Sequence, residues 1–170
     1  MDLAKLISII LGSSLLTGLM GFLLLKQSEK ITNTVKSQLS WKEKACEAMG
    51  SIYFQMQRSS LAFERYVKAK TPEERHYIEQ EVLLKSNSAV NNLILTQGYL
   101  IAPELLENTK KLLNHYDAWV EKYQRMRVTS QSEEKFVFVG PDGYPFPKEL
   151  EQQLADHYLR LWNELYGKSN

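Results

Sequence analysis

One cysteine, Cys46, is all the thiol that the 170 residues hold, so no disulfide forms within a single chain and a disulfide-stapled secreted fold is excluded. With nothing beside it in the sequence to activate it, Cys46 reads as a buried structural thiol. Glycine and proline are scarce, 8 and 5 residues, and there are no low-complexity tracts or internal repeats, which leaves a well-packed, mostly helical domain. Neither sign of charge dominates: 21 basic residues face 20 acidic ones for a formal +1. The chain therefore lacks the broad basic field that holds duplex nucleic acid, and an anionic ligand needs a local pocket.

Catalytic signatures are missing as well. His76, His115 and His157 lie too far apart for metal-ligand spacing. No Walker loop, dinucleotide fingerprint or nucleophile elbow occurs. Gly140-Pro-Asp-Gly143 superficially suggests a phosphate loop, but Pro141 removes an amide and no lysine follows in place. No catalytic residue, metal or cofactor is expected, and the chain reads as a non-enzyme.

What is present begins with a run without charge, Leu6–Leu25. As a helix it is about 30 Å long, the thickness of a bilayer's hydrocarbon core. It ends LLLKQSEK rather than in a small-residue cleavage site, which separates it from a signal peptide. The reading is a transmembrane anchor over 1–25. Lys26, Lys30, Lys36, Lys42 and Lys44 follow it against Lys5 before it, so the basic flank places a single-pass protein in the inner membrane with its C-terminal domain cytoplasmic. Ser13, Thr17 and Gly21 recur every four residues, a small-residue seam of the kind through which membrane helices associate.

A helical stalk or linker is expected over 26–40, where Ile31, Val35 and Leu39 form one apolar stripe. The helical ligand-binding domain spans 41–170, with about four helices and a short β-hairpin before the last. Its first helix runs from Trp41 to about Lys70 with Ile52, Met56, Phe63 and Val67 on one face. Thr71-Pro72-Glu73-Glu74 is a capping box with proline in the first turn, opening a helix to about Gly98 that presents Ile78, Val82, Ala89, Leu93 and Leu100. Pro103 opens a third, with Leu106, Thr109, Leu113, Tyr116, Val120 and Tyr123 in line and Leu105, Leu112 and Trp119 beside them. Lys135–Val139, the Pro-Asp-Gly turn and Tyr144–Phe146 predict the hairpin. A last helix from near Pro147 presents Leu150, Leu154, Tyr158, Leu161, Trp162 and Leu165.

Candidate ligand residues fall in three groups. Arg58 and Arg65, seven apart with Ser59 and Ser60 beside the first, suit phosphates through guanidinium forks. Asn87, Asn91 and Asn92 sit in a helix where Asn is a poor interior residue, and their amides can read an adenine edge. Arg125, Arg127 and Lys135 flank the entry to the hairpin, where Tyr144, Phe136 and Phe138 can stack on a base. Surface salt bridging and core packing are the plainer uses of the same residues.

The layout, with Tyr53-Phe-Gln-Met-Gln-Arg-Ser-Ser60 and Phe138-Val-Gly-Pro-Asp-Gly-Tyr144, resembles the small membrane-anchored effectors of type III CRISPR antiviral defence. That resemblance implies a cytoplasmic domain that binds cyclic tetra-adenylate and assembles as a homo-oligomer, a tetramer. The function it implies is a sensor that answers a cyclic oligoadenylate by acting on the membrane. Two alternatives stand beside it: an extracytoplasmic helical-bundle sensory domain, and an accessory membrane subunit that docks a protein partner.

Overall fold

The computed structural model describes residues 3–136, 138 and 144–167, with side chains described from Gly18 onwards. The chain divides into two units, residues 1–41 and 42–170, and α1 (Leu3–Lys68) contributes to both. In the first unit Ile31, Val35 and Leu39 are exposed, as are Leu19, Met20 and Phe22.

Among the described residues no helix is long and apolar enough to cross a membrane. This corrects the expected transmembrane anchor, and with it the single-pass inner-membrane placement and the cytoplasmic assignment of the C-terminal domain. Past Leu25 the helix carries Lys26, Glu29, Lys30 and Lys36, so charge recurs through the rest of its first unit. Ser13 and Thr17 of the small-residue seam lie outside the residues whose side chains are described. A Cβ added at Gly21, the seam's third member, would meet nothing within 4 Å.

The second unit is helical throughout its described elements. Within it, α1 buries Ala45, Met49, Ile52 and Met56, three or four residues apart, and then Ala62 and Tyr66. Phe63 and Val67, expected on the same face, stay 39% and 47% exposed. Phe63 and Val67 lie within about 20° of Met56 around the helix, so what changes is the packing: past Met56 the buried side turns to Ala62 and Tyr66, which join Ile78, Trp119 and Phe136. Gly50 lets α1 approach the last helix: a Cβ there would stand 2.8 Å from the Tyr158 ring.

Thr71 is extended, and its hydroxyl accepts from the Glu74 amide at 3.2 Å, capping α2 (Pro72–Tyr77). Glu74 turns its carboxylate to the Lys70 amide at 3.3 Å, so the box closes one residue earlier than its usual form. A π-helical turn, Ile78–Leu83, leads into α3 (Leu84–Gln97). That wider turn holds an extra residue and advances everything after it by one position. The expected line Ile78, Val82, Ala89, Leu93 is thus realised as Ile78, Leu83, Val90 and Ile94, all buried, and Ser86 and Asn87 come inward with them.

Two short 3₁₀ turns, Gly98–Leu100 and Pro103–Leu105, carry the chain into α4 (Leu106–Tyr123). Its buried face is Thr109, Leu112, His115, Tyr116, Trp119 and Tyr123, rotated from the expected line towards Leu112 and Trp119. A second π-helical turn, Gln124–Thr129, ends this run. Gln131 follows with φ 47°, the left-handed conformation that reverses a chain after a helix. The last helix, α5 (Lys148–Tyr166), buries Leu150, Leu154 and Leu161.

The expected β-hairpin is not formed: Lys135, Phe136, Phe138 and 144–146 carry no strand pairing, and its 140–143 turn lies outside the described residues. Phe136 instead gives its amide to the Tyr66 hydroxyl at 2.6 Å, and Phe136 and Phe138 turn into the core. Side-chain burial and a side-chain acceptor replace the ladder, since Pro145 and Pro147 leave the return segment without two amide donors.

Two apolar clusters result. One joins α1, α3, α4 and α5 through Met49, Ile52, Val90, Leu112, Tyr116 and Leu154. The other gathers Tyr66, Ile78, Leu83, Trp119, Phe136 and Phe138.

Candidate functional site

The two clusters do not meet seamlessly. Between them lies a cavity of about 490 Å³, walled by Met56 and Tyr116 from the first and by Leu83, Trp119 and Phe138 from the second. Its size falls in the range of roughly 300–1,000 Å³ common to small-molecule sites. Phe63 and Phe146 stand at its edges, which explains why Phe63 is only half covered by the protein.

Polar groups enter this aromatic enclosure at a few points. On α1, Ser59 donates to the Asn87 side-chain oxygen at 3.0 Å, and Ser60 lies beside it. Fixing Asn87 through its oxygen leaves its amide nitrogen as the donating end. On α4, His115 Nδ1 donates to the Tyr144 carbonyl at 2.6 Å. A carbonyl only accepts, so Nδ1 carries the proton and Nε2 keeps a lone pair in the neutral ring. Burial holds the His115 pKa below its ordinary 6.5, outweighing the Tyr144 bond that favours the charged form. Phe138 and Phe146 meet the imidazole edge-on, with centroids 5.2 and 5.4 Å away.

Among the described residues four buried side-chain polar atoms lack a hydrogen-bond partner, on Gln55, Arg75, Asn91 and Tyr116. Tyr116 is 2% exposed, and its buried hydroxyl is one of these atoms. A buried hydroxyl without a partner costs about 1–3 kcal/mol. Burial first, then the nearby Glu151 carboxylate, push its pKa up, so it stays protonated and able to donate. Glu151 reaches the cavity half-buried from α5, with one oxygen accepting from Gln57, while Lys148 stands exposed at the rim.

The sequence candidates are not gathered in one place. Of the nine ligand residues expected, Asn87 lines the cavity, and Tyr144 serves it through its backbone carbonyl while its ring is exposed. Arg58 reaches Ser86 at 3.0 Å and the Glu81 carbonyl at 3.4 Å. Arg65, Arg125 and Asn92 are exposed away from it. Asn91 donates to Asp117 at 2.8 Å, across α3 and α4. Lys135 caps the Val67 carbonyl at 3.1 Å.

Arg127 is wholly engaged in structure. It forks onto Glu79 at 2.6 and 2.7 Å, donates to the Glu134 carbonyl at 2.9 Å, and also to the Ser132 carbonyl. His115, Tyr116, Trp119 and Glu151 are the cavity residues that sequence reasoning passed over as functional. The first three fall at i, i+1 and i+4 of one helix face, a signal that spacing offered.

Two further concavities lie in this unit. One, of about 320 Å³, sits by Arg75 and Ser132; the other is a more open groove of about 630 Å³ by Phe54, Trp162 and Tyr166. Comparison with protein-family models, with curated proteins and with solved structures finds no match.

Proposed function

We propose that the second unit is a ligand-binding domain whose cavity takes one planar, ring-bearing small molecule. The observation that carries this is the cavity between the two clusters, about 490 Å³ and walled by Phe63, Trp119, Phe138 and Phe146, with Asn87 and His115 among them. Phe63, Trp119 and Phe146 supply faces for a ring, and stacking on such faces is worth about 1–3 kcal/mol per ring for nucleobases.

A base of a cyclic oligoadenylate is a second reading, favoured by Asn87 and its Ser59 partner lining the cavity. One base fits this account and four do not, so the remainder of such a ligand lies outside, towards Lys148. A symmetric ligand would then be shared among copies of the chain, each offering one cavity.

Calorimetry with a panel of heteroaromatic fragments and cyclic oligoadenylates tests both readings, with wild type compared against Ser60→Trp. Ser60 is exposed at the cavity edge, so a large ring there blocks the space without entering the core. Binding to wild type that Ser60→Trp abolishes supports the cavity. Binding to fragments but to no cyclic oligoadenylate removes the second reading, and binding that Ser60→Trp leaves untouched removes the first.

A further inference from the structure

We infer that the ligand carries a nitrogen donor head, an amidinium or protonated amine on an aromatic ring, and that Glu151 is its counter-charge. The inference rests on the cavity being the ligand site. It follows from a count of donors and acceptors in the wall. Glu151 is acceptor-only and charged, half-buried, with one oxygen occupied by Gln57. His115 presents the lone pair of Nε2, because Nδ1 is committed to Tyr144. Ser59 spends its proton on Asn87 and keeps its oxygen as an acceptor.

Against these stand the Asn87 amide nitrogen inside, the Ser60 hydroxyl at the edge and the exposed Lys148 ammonium at the rim. The interior therefore has acceptors in excess and a negative charge. The rings point the same way: the faces of Trp, Tyr and Phe attract cations, and Lys122 already places its ammonium 5.6 Å from the centroids of Phe136 and Phe138.

The test uses three probes of one shape and different charge on the full chain at pH 7: benzamidine, benzamide and benzoate. Binding is read by ligand-observed NMR for wild type, Glu151→Gln and Ser60→Trp, with melting curves as the folding control. Charged hydrogen bonds of this kind predict that benzamidine outbinds benzoate by about tenfold or more. Glu151→Gln should erase that preference at unchanged melting temperature, and Ser60→Trp should abolish the binding.

Equal binding of the three, a preference for benzoate, or a preference that survives Glu151→Gln overturns the inference and leaves the cavity reading standing. Binding of none, or binding indifferent to Ser60→Trp, overturns the cavity reading itself.

Discussion

Arg127 and Glu79 form a two-point ion pair with N–O distances of 2.6 and 2.7 Å, their side chains 6% and 0% exposed. Each sits in a π-helical turn, one after α2 and one after α4. The fork is the junction through which the segment after α4 is held: Arg127 also binds two of its carbonyls, and Tyr66 receives the Phe136 amide. Hydrogen bonding to Glu79 is the main cause that raises the Arg127 pKa, so the guanidinium keeps its charge.

Removing one partner leaves the other charge buried. Arg127→Met should cost about 3–5 kcal/mol in urea denaturation, and Glu79→Gln in the Arg127→Met background should recover part of that loss. A single substitution costing under about 1 kcal/mol would mean that the pair is solvated and holds nothing.

Tyr66 gives an alkaline signature. Its pKa is pushed up from 10.0 to about 12, first by burial and then by the hydrogen bond and charge of Glu79. The unfolded chain ionises this phenol first, so its contribution is full below pH 10 and is lost as pH rises towards 12. Melting temperature should fall through that window, and less steeply in Tyr66→Phe. Equal slopes would assign the fall to other groups.

His115 gives the opposite edge. Its folded pKa lies below 6.5, so the unfolded state takes up the proton first and stability falls as pH drops below 6.5. His115→Gln should flatten the acid limb between pH 7 and 5. An unchanged limb would contradict a buried neutral imidazole.

Gln131 holds a φ of 47° without being glycine. The left-handed conformation costs an L-residue about 1–2 kcal/mol, and glycine's extra freedom in the unfolded chain returns about 0.4–1 kcal/mol of any gain. Gln131→Gly should therefore stabilise by up to about 1 kcal/mol in thermal melts. Destabilisation would show that the Gln131 side chain makes contacts worth more than the strain.

Much of the helical layout was legible. Thr71-Pro72 marked a helix start because capping is local chemistry, and the structure makes the Thr71 bond. The phase of α3 was not legible: a π turn inserts one residue without any glycine or proline to announce it, so Ala89 and Leu93 were expected where Val90 and Ile94 are buried. The same shift carries Asn87 inward, so its place in the cavity depends on a turn that spacing does not show. Arg127 read as a free cation because its partner is 48 residues away. A count of local charges does not contain that pairing. The hairpin failed for a related reason, since Phe136 and Phe138 have strand propensity but find their partners in Tyr66, Trp119 and His115. Propensity describes a pleated surface, and here burial decides.

Asn87 and Asn91 separate the cavity account from the sequence account. Asn87 lines the cavity; Asn91 is tied to Asp117. Asn87→Ala should weaken binding of whichever fragment the panel selects, while Asn91→Ala should change melting temperature without changing the dissociation constant. Equal losses of affinity in both variants, measured by calorimetry, would restore an asparagine row as the binding surface.

The most direct measurement is a crystal structure of the full chain soaked with the tightest-binding fragment. The account predicts density for its ring between Trp119 and Phe146, with a polar atom within hydrogen-bond distance of the Asn87 amide nitrogen or the Glu151 carboxylate. Density confined to the groove by Trp162 and Tyr166, or a cavity that stands closed with no ligand in it, would contradict it.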